Sequence, residues 1–304
     1  MFEVNESLDS VIKLLPPRIA AAVYNLNEIE KEKITEIRLR QGRPVMLTMG
    51  ENRFLAPNST LSFKNNHCII AESEDLRKCF INLCDNSVYS HEEEIKQGFI
   101  SLKFGNRAGI CGTIVNRPNG EYWIKDINAI NIRIAHEIKG VAQEIADKNL
   151  YGGVLFCGPP HSGKTTYLRD LIRLLSDSGE KIGLIDSRGE IAAVNGGLAT
   201  LDVGNCTDIM VGGRKEFSIE CLLRTMAEDT IAFDEIGSME ELKLIEACFN
   251  AGVRIITSIH SASIEELIAR NNKIPILNSD AFSHIIMLDK KFQYKIYKVG
   301  DIIA

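Results

Sequence analysis

Residues 158–165 read Gly-Pro-Pro-His-Ser-Gly-Lys-Thr and fit the phosphate-loop pattern G-x-x-x-x-G-K-[ST]. An apolar run, Gly153-Val-Leu-Phe-Cys157, precedes them, and a helix-compatible run from Thr165 to Leu175 follows. This order constrains the fold more than any other feature of the chain. Successive backbone N–H groups of such a loop converge on one concavity, and the helix behind it turns its positive end toward the same point. The expected occupant is a nucleoside triphosphate with Mg²⁺. The candidate nucleotide-binding residues are Gly158, Pro159, Pro160, His161, Ser162, Gly163, Lys164, Thr165 and Thr166. Lys164 would reach the β- and γ-phosphates, and Thr165 Oγ would ligate Mg²⁺. No motif in the sequence reads the base.

The pattern around this loop predicts α/β architecture from about residue 146 onward. Apolar strands at 153–157, 181–186, 230–234 and 253–258 alternate with helical stretches at 164–176, 238–250 and 263–270, the signature of a mostly parallel sheet covered by helices. Residues 284–299 alternate well enough for one or two closing strands. The Gly-rich segment 191–216 reads as a surface loop. Residues 1–145 read as a smaller α+β domain without a phosphate loop. Two short helices are expected over 7–30, split by Pro16-Pro17, and strands over 34–48 around a Gly-Arg-Pro turn. A helix is expected at 73–87 and a β-rich stretch at 98–115 with a turn at 104–107. A hairpin turn is expected at Arg117-Pro-Asn-Gly120.

Three more runs carry chemistry. Thr230-Ile-Ala-Phe-Asp-Glu-Ile-Gly237 is a buried-strand pattern ending in two acids, as in a Walker B element. Asp234 would hold Mg²⁺ with Thr165, and Glu235 would orient or deprotonate the attacking water. Ile255-Ile-Thr-Ser-Ile-His260 ends in a histidine that would face the γ-phosphate if its strand neighbours the other two, because ligands sit beyond the carboxyl ends of such strands. Ile182-Gly-Leu-Ile-Asp186-Ser-Arg-Gly-Glu190 carries two acids, either of which could help place the water. A γ-phosphate transition state takes added positive charge from an arginine. Arg107 and Arg133 are candidates, alongside Arg38, Arg40, Arg43 and Arg224.

Composition narrows the function classes. A net charge of −6 argues against broad attraction to nucleic acid, and no basic stretch is interleaved with aromatics. A nucleic-acid-dependent ATPase is therefore disfavoured. No stretch approaches the ~20 apolar residues of a membrane span. The start, Met1-Phe-Glu-Val-Asn-Glu, lacks the features of a secretory signal, and the expected location is the cytoplasm. The eight cysteines form no C-x-x-C pair and are expected to be buried free thiols.

The four runs at 158–165, 182–190, 230–237 and 255–263, in this order, resemble the ATPases that power type II and type IV secretion and pilus assembly. The closer resemblance is to the stage III sporulation branch. It is carried by Glu36-Ile-Arg-Leu-Arg-Gln-Gly-Arg-Pro44, Gly105-Asn-Arg-Ala-Gly-Ile-Cys-Gly112, Ile127-Asn-Ala-Ile-Asn-Ile-Arg-Ile-Ala-His-Glu137 and Phe233-Asp-Glu-Ile-Gly237. The resemblance implies a RecA-like P-loop ATPase core and a homo-hexameric ring with nucleotide between the N-terminal module and the core. It also implies peripheral association with membrane-embedded sporulation stage III channel proteins. The chain departs from that branch at 186–190, where Asp-Ser-Arg-Gly-Glu stands for Asp-Glu-Arg-Ser-Glu. It departs again at His161-Ser162, which stands for Gly-Thr. The missing acid keeps a second reading open, a nucleotide-binding assembly switch with little hydrolysis.

Overall fold

The computed structural model describes residues 6–64, 66–116, 122–271 and 275–303. The chain forms two compact units, Met1–His136 and Glu137–Ala304.

The first unit begins with helices α1 (Glu6–Ile12), α2 (Pro17–Tyr24) and α3 (Glu28–Lys31). Pro17 starts α2, where its missing N–H costs nothing. The helically spaced Leu8, Val11, Ile12, Ile19, Ala22 and Val23 are all buried. Strands β1 (Glu36–Arg40), β2 (Arg43–Pro44), β3 (Met46–Met49), β4 (Glu51–Leu55), β5 (Leu61–Ser62) and β6 (Ile70–Ala71) follow. Then come α4 (Ser73–Leu83), α5 (Glu92–Lys96), β7 (Phe99–Ser101), β8 (Arg107–Asn116) and β9 (Tyr122–Arg133). An antiparallel sheet runs in the order β5-β4-β3-β1-β9-β8-β7, and β2 pairs with β6. On β1, Ile37 and Leu39 are buried while Glu36, Arg38 and Arg40 take the half-buried face. The turn expected at 117–120 lies outside the described residues.

The second unit contains α6 (Gln143–Asp147), β10 (Gly153–Gly158), α7 (Lys164–Asp177), β11 (Ile182–Asp186), β12 (Thr207–Val211), α8 (Lys215–Thr225) and β13 (Thr230–Phe233). It continues with α9 (Met239–Asn250), β14 (Arg254–His260), α10 (Ile264–Asn271), β15 (Phe282–Leu288), β16 (Tyr294–Lys298) and α11 (Val299–Ile303). The sheet order is β12-β11-β13-β14-β10-β15-β16, parallel from β12 to β15 and antiparallel at β16. Both faces are covered. Leu155 and Cys157 of β10 pack into one layer with Phe233 and Ile245, and Val154 and Phe156 pack into the other with Leu168 and Ile172. That two-sided burial is why β10 reads as an unbroken apolar run.

Three expectations need correction. The expected boundary near 145 moves to His136/Glu137. Ala142 and Ile145 are core residues of the second unit, the Ala142 N–H donates to Asp170 Oδ2 at 2.8 Å, and Lys139 pairs with Asp202 at 2.8 Å. The segment 191–216 is not simply a surface loop. It supplies the edge strand β12, and Ile191, Ala192, Leu201 and Val203 are buried. The cysteines are free, but Cys111 and Cys206 are exposed. Burial pushes the Cys79 and Cys248 thiols up to about 12, which makes them poor nucleophiles.

Glu228, just before β13, is 7% exposed. Burial and the neighbouring Asp208 carboxylate push its carboxyl up to about 7. The folded chain therefore holds a proton that the unfolded chain releases near the ordinary glutamate value. Stability is full below that value and falls as pH rises toward 7, by roughly 2–3 kcal/mol in all. Glu228→Gln carries no charge at either pH. Thermal melts are expected to show the variant about 5 °C more stable at pH 8 and equal to the parent near pH 4.

Candidate nucleotide site

The carboxyl ends of β10, β13 and β14 build the site. β14 lies between the other two, and the β10–β14 register sets Gly158 opposite His260. The condition placed on His260 in the sequence, that its strand neighbour the loop and the acids, is thus met. The strand at 253–258 runs on to His260 itself. Ser258 Oγ donates to the Asp234 carbonyl at 2.6 Å, and the Ile236 N–H donates to the Ser258 carbonyl at 2.9 Å. Those two bonds tie the acidic turn after β13 to β14.

The loop itself depends on glycine at two positions. Gly163 caps α7 with φ of 87°, a left-handed conformation that side chains resist. A β-carbon at Gly158 would lie 2.4 Å from Ser162 Oγ and 3.0 Å from the Leu288 carbonyl oxygen, so a side chain there would crowd the loop against β15. His161, Ser162, Gly163, Lys164, Thr165 and Thr166 line a cavity of about 270 Å³ with Arg188, Glu190, Asp234, Glu235, Ser258 and His260. The buried Ser162 hydroxyl has no hydrogen-bond partner among the described residues, an unused polar group in the lining.

Lys164 is 7% exposed, and its ammonium donates to the carbonyls of Gly158 and Pro159 and to His260 Nδ1, each at 3.0 Å. Burial pushes this ammonium below its ordinary range, and the Glu235 charge partly offsets that. An ammonium can only donate, so His260 Nδ1 accepts and the ring proton sits on Nε2. Nε2 faces Glu235 Oε1 at 3.4 Å, while Glu235 Oε2 is 3.5 Å from Arg188. A chain of contacts thus runs from the loop lysine through His260 to Glu235. Asp234 and Thr165 offer hard oxygen donors to the same cavity, the ligand type Mg²⁺ takes, so the residues fit that ion.

Asp186 does not belong to this lining. It is fully buried, and its carboxylate accepts the N–H groups of Glu190, Ile191 and Ala192 at 3.0, 3.0 and 2.8 Å. With both oxygens committed to the backbone, Asp186 holds the 187–192 turn and is not available to place a water. Of the two acids in that run, Glu190 lines the cavity. In the first unit, Arg107 pairs across the strands with Arg133. Arg107 lies 4.3 Å from the Phe99 ring centroid, and Arg133 approaches Glu36 at 4.0 Å.

Two cations escaped the sequence reading. Arg188 faces Glu235, as above. Lys215, at the start of α8, lies 3.0 Å from Asp234 Oδ1 and 2.8 Å from Glu241 Oε1, and it also donates to the Glu235 carbonyl. Burial opposes its charge, but the bond to Glu241 and the Asp234 carboxylate outweigh it, so Lys215 is held above its ordinary range. Glu241 also accepts the N–H groups of Gly237 and Ser238, which ties α8, the acidic turn and α9 together.

The family described as "Sporulation stage III, protein AA" matches residues 5–299 of this chain. Stage III sporulation protein AA of Bacillus subtilis (strain 168) is 30% identical over 292 residues, covering 93% of this chain and 91% of that protein. Among solved structures, the pilus retraction motor PilT with bound ADP has a TM-score of 0.60 at 14% identity, covering 90% of this chain and 84% of that one. The Legionella pneumophila ATPase DotB has a TM-score of 0.55 at 17% identity, covering 85% and 73%. At such identities the structural likeness establishes the fold, a RecA-like core preceded by a smaller α+β unit. The resemblance noted in the sequence holds at both levels, the secretion ATPases for fold and the sporulation branch for family. The chain belongs to the sporulation stage III protein AA family.

Proposed function

We propose that the chain hydrolyses ATP and uses the energy to drive a membrane-associated channel complex of sporulation. One observation carries the reading: Lys164 of the phosphate loop, His260 and Glu235 form a connected chain around one cavity. In this reading the loop N–H groups and Lys164 bind the phosphates. Thr165 and Asp234 hold Mg²⁺, which supplies positive charge beside the phosphate oxygens. Glu235 accepts the proton of the attacking water, and Arg188 and His260 hold its carboxylate in place. When Lys164 turns to the γ-phosphate it leaves His260 Nδ1, so His260 registers whether that phosphate is present. The charge still needed in the transition state comes from Arg107 or Arg133 of a neighbouring subunit in a homo-hexamer. The membrane partners are the sporulation stage III channel proteins. Among the described residues no helix is long and apolar enough to cross a membrane, so attachment in this reading is peripheral.

A second reading, a nucleotide-gated assembly switch, gains support from Asp186, whose carboxylate is spent on the backbone. Phosphate release from MgATP by the purified full-length chain decides between them. Steady turnover on the order of 0.1 s⁻¹ or more, lost in Glu235→Gln, supports the motor. Binding of ATP with release no faster than in buffer leaves the switch.

A further inference from the structure

The turn joining β15 to β16 sets an exposed aromatic against the phosphate loop. Phe292 is 59% exposed and has φ of 61°, a conformation that costs a phenylalanine about 1 kcal/mol or more. The turn around it is firmly built. Asp289 Oδ1 accepts the N–H groups of Lys291 and Gln293 at 2.7 and 2.9 Å, and the Phe292 N–H donates to the Asp289 carbonyl at 3.2 Å. Tyr167 Oη, from the first turn of α7, donates to the Phe292 carbonyl at 2.9 Å. Behind it Tyr167 meets Tyr294 edge to face, with ring centroids 5.7 Å apart. A β-carbon at Gly163 would lie 3.2 Å from Phe292 Cδ1, so the ring edge rests on the loop. Backbone strain and an exposed ring, on a turn tied to α7, have no return in core packing.

The sheet order gives the ring a direction. Asp234, Glu235 and His260 stand at the ends of β13 and β14, on one side of β10, and the β15–β16 turn stands on the other. A triphosphate whose terminal phosphate faces those acids carries its nucleoside the opposite way, along the turn. We propose that Phe292 is the platform on which the nucleobase stacks, so that the site selects purine nucleotides by ring area and treats adenine and guanine alike. This rests on the nucleotide reading above.

Calorimetric titration of the full-length chain with ADP, GDP, CDP and inorganic pyrophosphate tests it. Phe292→Ala is expected to weaken ADP and GDP about tenfold, to weaken CDP less, and to leave pyrophosphate within about twofold of the parent. Phe292→Trp is expected to keep ADP affinity and to lose fluorescence as ADP binds. ADP affinity unchanged in Phe292→Ala overturns the proposal, as does a parallel loss of ADP and pyrophosphate, which would mean a damaged loop. If the parent binds neither nucleotide nor pyrophosphate, the nucleotide reading itself fails. If it binds both and Phe292→Ala alters neither, only the platform fails.

Discussion

Lys164→Ala is expected to abolish measurable nucleotide binding. The ammonium is nearly buried, yet its partners are two loop carbonyls and a neutral histidine nitrogen, not a carboxylate. Burial lowers its pKa, so a charged lysine here is held at a cost that bound phosphate would relieve. The carbonyl contacts are the resting arrangement, and phosphate oxygens are stronger acceptors because the bond is then charged on both sides. Losing that interaction in a partly desolvated cavity is worth roughly 3–4 kcal/mol, a fall in affinity of about 10²–10³. The measurement is ADP titration by calorimetry, with thermal shift by MgATP as a second readout. The unliganded melting temperature should change little, because the buried Gly158 carbonyl keeps the Ser261 N–H as a donor at 3.3 Å and the half-buried Pro159 carbonyl keeps the Ser162 N–H at 3.3 Å. A dissociation constant within about threefold of the parent would remove Lys164 from the site.

The elements that carry this site were legible where neighbours in sequence are neighbours in space. The loop, the strand before it and the helix after it form one local unit, and β10 spans Gly153–Gly158 with α7 starting at Lys164. Asp234, Glu235 and His260 were readable because each ends an apolar run, and parallel sheets put strand ends together. What the sequence hid depends on long-range folding. Lys215 reaches Asp234 only because α8 starts beside the end of β13, and nothing in Gly212-Gly213-Arg214 announces that. Asp186 looked like a catalytic acid because its side chain ends a buried strand. Its fate turned on three N–H groups of a turn whose shape includes Ala193 at φ of 46°. The edge strand β12 escaped because its apolar residues, Ile209, Met210 and Val211, are consecutive and half-buried or exposed, so neither an alternating pattern nor a longer buried run marks it.

Glu235→Gln is expected to separate binding from turnover. The glutamine keeps the size of the side chain, and its one carbonyl oxygen can still accept from His260 Nε2 while the contact of the second oxygen with Arg188 is given up. It cannot take a proton from water at neutral pH. Loss of a general base of this kind lowers the rate by about 10²–10⁴. Nucleotide affinity is expected to hold within about threefold, because the phosphates are bound by the loop and Lys164 and removing one negative charge favours an anionic ligand. Single-turnover phosphate release and calorimetric titration, run on the same preparation, report the two quantities apart. Turnover within about fivefold of the parent would take the base role from Glu235. Glu190 would then be the acid to test, since it lines the cavity while Asp186 is committed to the backbone. A parallel loss of binding and turnover would instead mean that the Lys164–His260–Glu235 chain acts as one structural unit. In that case breaking it at Glu235 would also release the loop.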